Sequence, residues 1–251
     1  MLTGTAPVEP LAARAVTVEQ FASEPVELPD AHVALAHFEL PYAVREALLP
    51  PSLHPNTPPL LTVLVWSCPE SPWGPFSLAQ LRVGCRSGVR TRGFLLGAAV
   101  DNPEAAAALA AGWGLATRPG TVRLHRGYDA STVDAAFADA GAADAPALAL
   151  RLSDPEPLGL DDVQFSGTLT PAELPRGLRL VQFEPDYDVR RSERVIPRLE
   201  CLDAAAWGDA RAVPRGRVGA SLTAATITLT PVRFVCRPDV TGFEGTEPVD
   251  A

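Results

Sequence analysis

The stretch LLTVLVWSCPESPWGPFSLAQLRVGCRSGVRTRGFLLGAAVDNPEAAAALAAGWG, residues 60–114, decides how the chain is read. Three runs rich in Leu, Val and Phe, residues 60–68, 76–85 and 91–100, are separated by Ser71-Pro72-Trp73-Gly74-Pro75 and by Ser87-Gly88. Runs of that length between such turn formers predict an antiparallel meander. Asp101-Asn102-Pro103-Glu104 then opens a helix, with a capping side chain, a proline just inside and an acid in the first turn. Alanine dominates this helix, which is expected to run to Ala111 and to stop at Gly112.

Upstream, residues 1–30 read as an irregular, Pro-containing arm. Residues 31–40 alternate as a strand does, with Val33 and Leu35 on one face and Ala34, Ala36 and Phe38 on the other. Pro41 opens a short helix over residues 42–49, which Pro50-Pro51 stops. Downstream, strands are expected at 121–126, 148–152, 163–170, 177–183 and 195–201, with one long strand over 217–236. The Ala/Asp-rich residues 129–147 suit a hairpin with a mobile turn, and residues 203–207 one helical turn. Around ten strands with two or three short helices define a mainly β chain: one barrel-like antiparallel domain over 31–251 behind the arm.

No lysine occurs among the 251 residues; all 21 cationic side chains counted as Lys+Arg are arginines. Arginine does not become a neutral amine, so chemistry that needs a lysine nucleophile is excluded: pyridoxal-phosphate and imine enzymes, P-loop nucleotidases, biotin and lipoyl carriers. A formal charge of −9 repels phosphate backbones and anionic lipid, so neither nucleic acid nor membrane is expected as a partner. Cys68, Cys85, Cys201 and Cys236 lie far apart and read as buried thiols of a cytoplasmic protein. The first twenty residues have neither the basic nor the apolar region of a signal peptide, and no run approaches the roughly 20 apolar residues of a membrane span.

Residues 60–124 resemble the acetoacetate decarboxylase-like superfamily. Ser71-Pro72-Trp73-Gly74-Pro75-Phe76 is similar to that family's Ser-Gly-Pro-Tyr turn into a strand, Val100-Asp101-Asn102-Pro103-Glu104-Ala105 to its strand ending in Asp-Asn before a helix, and Trp113-Gly114 to its step into the next strand. The resemblance implies a curved antiparallel β-barrel around an apolar internal cavity, in a homo-oligomer. Counted from Asp101-Asn102, the Schiff-base lysine of the family falls on Thr117, its lysine neighbour on Arg118 and the preceding proline on Ala116. Gly-Arg-Glu becomes Leu109-Ala110-Ala111, and the two carboxylates of the preceding strands fall on Leu64 and Leu78. The imine machinery is absent, because a hydroxyl cannot condense with a ketone and a guanidinium serves only as a hydrogen-bond fork.

This implies a divergent member without cofactor. It is expected to act on a small carbonyl- or carboxylate-bearing metabolite as an imine-independent lyase, isomerase or cyclase; a non-catalytic binder or carrier of a hydrophobic small molecule is the alternative. Arg118 would clamp a carboxylate or hold an enolate, the alternative being a solvated turn arginine. Thr117 would donate a hydrogen bond or satisfy local backbone. Trp66, Leu64, Leu78, Trp113 and Ala116 would line the cavity, or simply pack a core. His125, on one strand face with Arg123, Glu184 and Tyr187 are further pocket candidates; the segment holding the last two, residues 183–194, alternates acids with arginines as an ion-paired loop would. The cluster Asp154-Pro155-Glu156 with Asp161-Asp162 reads as a solvated loop. His32, His37 and His54 lack metal-ligand spacing, so no metal is expected.

Overall fold

The structure is a computed structural model that describes residues 2–138 and 146–249. Its strands are β1 (Val16–Thr17), β2 (Val26–Glu39), β3 (His54–Pro55), β4 (Leu60–Cys68), β5 (Phe76–Ser87), β6 (Arg90–Val100), β7 (Arg118–His125) and β8 (Ala130–Phe137). They continue as β9 (Leu148–Pro157), β10 (Thr168–Leu174), β11 (Gly177–Phe183), β12 (Asp186–Leu202), β13 (Gly216–Leu229), β14 (Phe234–Cys236) and β15 (Thr246–Pro248). Three helices accompany them: α1 (Glu9–Ala12), α2 (Pro103–Trp113) and α3 (Gly242–Gly245). The chain is mainly β, as its turn spacing predicts.

β4, β5 and β6 form the expected meander, with Leu61 opposite Val83 and Leu78 opposite Val100. Following hydrogen-bonded neighbours from β6 through β7, β8, β9, β12, β13, β2 and β4 to β5 returns to β6, so nine strands close a ring. Every junction in the ring is antiparallel except β6 with β7. The free edge of β6 is shared between two strands. Gly93 and Phe94 pair with Thr168 and Leu169 of β10, whereas Ala99 and Val100 pair with Arg118 and Pro119 of β7. Between those ladders residues 95–98 meet no strand on that side, which leaves a slot. From β10 the sheet runs on through β11, β14 and β15, with β1 alongside β10.

Two cores result. The ring interior is filled by Phe38, Val63, Leu81, Phe94, Phe137, Leu150, Leu222 and Trp207. A second core lies on the opposite face of β2, β4, β5 and β6, where Leu35, Leu64, Trp66 and Leu78 meet Leu109 and Trp113 of α2 and Val181 and Phe183 of β11. Both faces of this wall are therefore buried, which is why β4 and β5 read as continuous apolar runs and not as alternating ones. Each fully buried Leu or Phe stabilises the fold by about 1.5–3 kcal/mol, so a doubly covered wall anchors both halves.

α2 roofs the second core. Asn102 caps it by accepting from the N–H groups of Glu104 and Ala105, while its amide donates to the carbonyls of Trp73 and Pro75 at 2.9 and 3.1 Å. The helix ends at Gly114, not at Gly112, because Gly114 takes the left-handed conformation (φ 66°) that closes it.

Other local expectations are corrected. The segment at 183–194 is not a loop: β11 ends at Phe183 and β12 begins at Asp186, and a bulge between Val189 and Arg191 shifts the register. Its charges are spaced for a strand, and they pair across it: Arg190 with Asp30 at 2.6 Å, Arg194 with Glu156 at 2.8 Å. Asp154 and Glu156 lie on β9, leaving only Asp161-Asp162 in a single turn. Residues 42–49 make one 3-10 turn, Tyr42–Val44, since so short a segment gains too few bonds to offset helix nucleation. Residues 203–207 form turns without a helix, and residues 163–167 precede β10 in irregular conformation. The arm contains α1 and β1 and passes into β2 at Val26. β8 and β9 flank the expected hairpin turn, which lies outside the described residues.

Candidate functional site

The slot on β6 is where Thr117 and Arg118 come to rest. Gly97 and Gly208 let the chain around Trp207 lie directly on β6: a Cβ at Gly97 would sit 2.6 Å from the Trp207 carbonyl oxygen, and one at Gly208 2.5 Å from that of Leu96. The Leu96 carbonyl, left without a strand partner, accepts from Nη1 of Arg14 at 2.8 Å. Burial pulls the Arg14 pKa down and the nearby Asp209 charge opposes this. Arg118 opens β7 with an exposed side chain whose guanidinium carbon lies 3.6 Å from the centroid of the Phe137 ring. Thr117 is half-buried, and the Ala116 N–H donates to the Thr170 hydroxyl at 3.1 Å. Together these residues border a recess of about 370 Å³ with Leu95, Ala98 and Pro171. Among the described residues its lining holds two guanidiniums and no Asp, Glu, His, Cys or Tyr. It can grip an anion, but it offers no side chain that accepts a proton near neutral pH.

The remaining residues expected around one cavity lie elsewhere. Leu64, Leu78, Trp66 and Trp113 are all at most 3% exposed and share the second core. Aromatic rings gather there: Trp66 stands 6.0 Å from Phe183 and 6.1 Å from Tyr187, centroid to centroid. Trp113 meets Trp73 edge-on and donates from Nε1 to the Thr230 carbonyl at 2.9 Å. None of these four lines the slot; of the five expected cavity residues only Ala116 does, and it touches the second core as well, as Leu95 and Ala98 of the slot do. The expected site is thus divided between the slot and a packed layer.

Of the other candidates, His125 and Arg123 are exposed on β7. Glu184 is held by Arg92 and lies 3.3 Å from Arg233 and 3.9 Å from Arg90, so its charge is already matched. Tyr187 is half-buried with its hydroxyl inward, where burial raises its pKa, and its ring stacks on Phe165 at 3.9 Å. Burial likewise pushes the Cys68 and Cys85 thiols up to about 12, which keeps them protonated and unreactive. Cys201 is free but only half-buried. Among the described residues no group of three or more His, Cys, Asp or Glu could hold a metal ion, and no helix is long and apolar enough to cross a membrane.

Sequence reasoning passed over a polar group inside the second core. Gln80 and Arg82 follow Leu78 on its own face of β5, both 1% exposed. The Thr168 hydroxyl accepts from Arg82 Nη1 at 3.0 Å and donates to Gln80 Oε1 at 2.9 Å. Burial lowers the Arg82 pKa to about 10. On adjoining strands His37 Nδ1 lies 3.0 Å from the Thr62 hydroxyl, and burial together with the Arg82 charge holds this imidazole at about 4. The signal was present: a Gln and an Arg two apart within an otherwise apolar strand. A larger recess, about 630 Å³, lies between residues 18–23 and the ends of β11 and β14, but its Arg179 is paired with Glu247 at 3.1 Å. The slot has the clearer chemistry.

No family model matches the chain and no curated protein matches it in sequence. Solved structures do match. The acetoacetate decarboxylase of Legionella pneumophila superposes with a TM-score of 0.70 at 16% identity, covering 84% of this chain and 87% of that one. The enduracididine biosynthesis enzyme MppR complexed with pyruvate gives 0.63 at 14% identity, over 85% and 91%. An acetoacetate decarboxylase-like enzyme from Sphingomonas wittichii RW1 gives 0.60 at 14%, over 83% and 91%. The chain therefore has the acetoacetate decarboxylase-like fold, as the motifs around Asp101-Asn102 imply.

Proposed function

We propose that the chain binds a small carboxylate- or carbonyl-bearing metabolite in the slot between Arg14 and Arg118, with no covalent bond to the protein. The observation that carries this is a pair of guanidiniums on one recess of about 370 Å³, a volume suited to a small molecule. Arginine grips a carboxylate through two parallel hydrogen bonds, and the apolar lining takes the rest of such a ligand. The neighbour complexed with pyruvate supports the ligand class. A chain without lysine forms no imine, so acetoacetate is not expected to release carbon dioxide with borohydride-trappable protein.

Binding without turnover is the reading that the lining favours, because it lacks a general base. The second reading is an imine-independent lyase, isomerase or cyclase in which Arg118 holds a developing oxyanion. It draws on the neighbours that are described as enzymes. A homo-oligomer in the cytoplasm completes the proposal, and light scattering on the purified chain reads its size. Calorimetric titration with pyruvate and acetoacetate tests the site. Arg14→Ala and Arg118→Ala should each weaken binding at least about tenfold, the effect of losing one charge-assisted hydrogen bond. Unchanged affinity in both variants removes the slot from consideration, and ligand consumption abolished by Arg118→Ala selects the catalytic reading.

A further inference from the structure

Arg82 is a cation that no carboxylate among the described residues neutralises. Besides the Thr168 hydroxyl, its Nη1 donates to the Ser166 carbonyl at 3.0 Å, while Nε donates to nothing. Gln80 is in the same condition: Thr168 engages its Oε1, and Nε2 has no acceptor. Trp66 stands on β4 opposite Leu78, diagonal to Gln80, and its buried Nε1 also lacks an acceptor. Its indole N–H favours the ionised Tyr187 hydroxyl but falls short of a hydrogen bond to it. Three idle N–H donors thus gather on one buried surface beside an unneutralised charge, all on side chains 1% exposed.

We propose that Arg82, Gln80 and Trp66 form an internal binding site for a small carboxylate, separate from the slot. Water would satisfy the donors but leave the guanidinium uncompensated in an apolar layer; a carboxylate does both, accepting on two oxygens while cancelling the charge. The chemistry of the surroundings agrees. Tyr187 stays protonated and supplies a further donor, and the neutral His37 adds no competing cation. Leu78 and Phe183 are buried in the same layer, so the ligand proposed is among the smallest carboxylates, on the scale of formate or acetate.

The way in lies beneath residues 158–167, which belong to no strand. Backbone bonds tie this segment at its two ends, where the Leu158 N–H donates to the Ser192 carbonyl and the Gly167 carbonyl accepts from the Gly93 N–H. Between them Phe165 covers Tyr187 and the Ser166 carbonyl covers Arg82. Lifting this strap uncovers the guanidinium and the Tyr187 ring together. None of this depends on what binds at the slot.

The test is thermal denaturation and calorimetric titration of the full chain with acetate, with neutral acetamide as control. Acetate should raise Tm and bind, and acetamide should do neither. Arg82→Met should abolish the acetate response that remains once Arg14 and Arg118 are both alanine. Gln80→Leu and Trp66→Phe, which keep volume and remove one donor each, should weaken it about tenfold. In a chain with both Arg14→Ala and Arg118→Ala, which removes the slot's cations, the Arg82-dependent part of the acetate response should persist. The proposal is overturned if acetate and acetamide act alike, or if acetate-soaked crystals hold only water at Arg82 Nε. In that double-alanine chain, unchanged affinity on adding Arg82→Met overturns it too, and if that variant does not fold, unchanged affinity with both Gln80→Leu and Trp66→Phe has the same force. Loss of acetate binding only in the Arg14 and Arg118 variants would move the ligand to the slot.

Discussion

The two faces of the β2–β4–β5–β6 wall share one backbone and differ in what they carry. Toward the ring interior it presents Ala34, Ala36, Phe38, Val63, Val65, Ala79, Leu81 and Val83. Toward the second core the alternate positions are Val33, Leu35, His37, Thr62, Leu64, Trp66, Leu78, Gln80 and Arg82. The eight side chains named on the first face are all hydrocarbon. The second holds a guanidinium, an amide, an imidazole and idle donors that an apolar layer would be more stable without. Both faces are buried, but the polar groups that a ligand could engage lie on the second one only.

The largest expected effect probes the ring. Trp207 is fully buried, meets Phe137 edge-on at 4.8 Å and donates to the Ala147 carbonyl at 3.0 Å. Trp207→Ala should cost about 3–5 kcal/mol in urea denaturation; a loss under about 1 kcal/mol would deny the ring its role. The polar face should respond to pH instead. His37 titrates near 4 in the folded chain and near 6.5 unfolded. Nothing is lost above pH 6.5; as pH falls to 4 the unfolded chain takes up the proton first, and stability drops by about 3 kcal/mol. His37→Gln should flatten that part of the profile, and an unchanged slope would place the acid sensitivity elsewhere.

A smaller effect tests how Arg82 is accommodated. Its stem crosses Gly93, where an added Cβ would lie 2.9 Å from Arg82 Cδ. Gly93→Ala should cost about 1–3 kcal/mol, and most of that cost should vanish when Arg82 is also alanine. Additive costs in the double variant would mean that the glycine serves the strand alone. Smallest is the roof over the polar face: Asn102→Ala should cost about 1 kcal/mol through the lost cap, read by the denaturation midpoint.

Much of the fold was legible because turns and caps are local. Ser71-Pro72-Trp73-Gly74-Pro75 and Asp101-Asn102-Pro103-Glu104 fix the meander and the start of α2 from a few residues each. The end of α2 was missed because Gly112 and Gly114 are equally good stops in sequence, and only the chain path, which brings Val181 against Gly114, selects between them. The first half of β12 was missed, though its second half was expected at 195–201, because closely spaced surface charges on a strand mimic a loop. The candidate site was legible in part: the register count carries Thr117 and Arg118 to a recess. It could not foresee that Arg14, a hundred residues earlier, shares that recess. Nor could it foresee that Leu64 and Leu78 would lie in a different layer, since that depends on how β6 divides its edge between β10 and β7.

Ring closure has one more consequence. Nine strands joined edge to edge leave the ring without a first or last strand, and among the described residues the terminal strands β1, β3 and β15 are two, two and three residues long. β3 and β15 each finish in a proline, which cannot extend a ladder. Among the described residues these short terminal strands therefore offer a second copy of the chain little margin to splice onto.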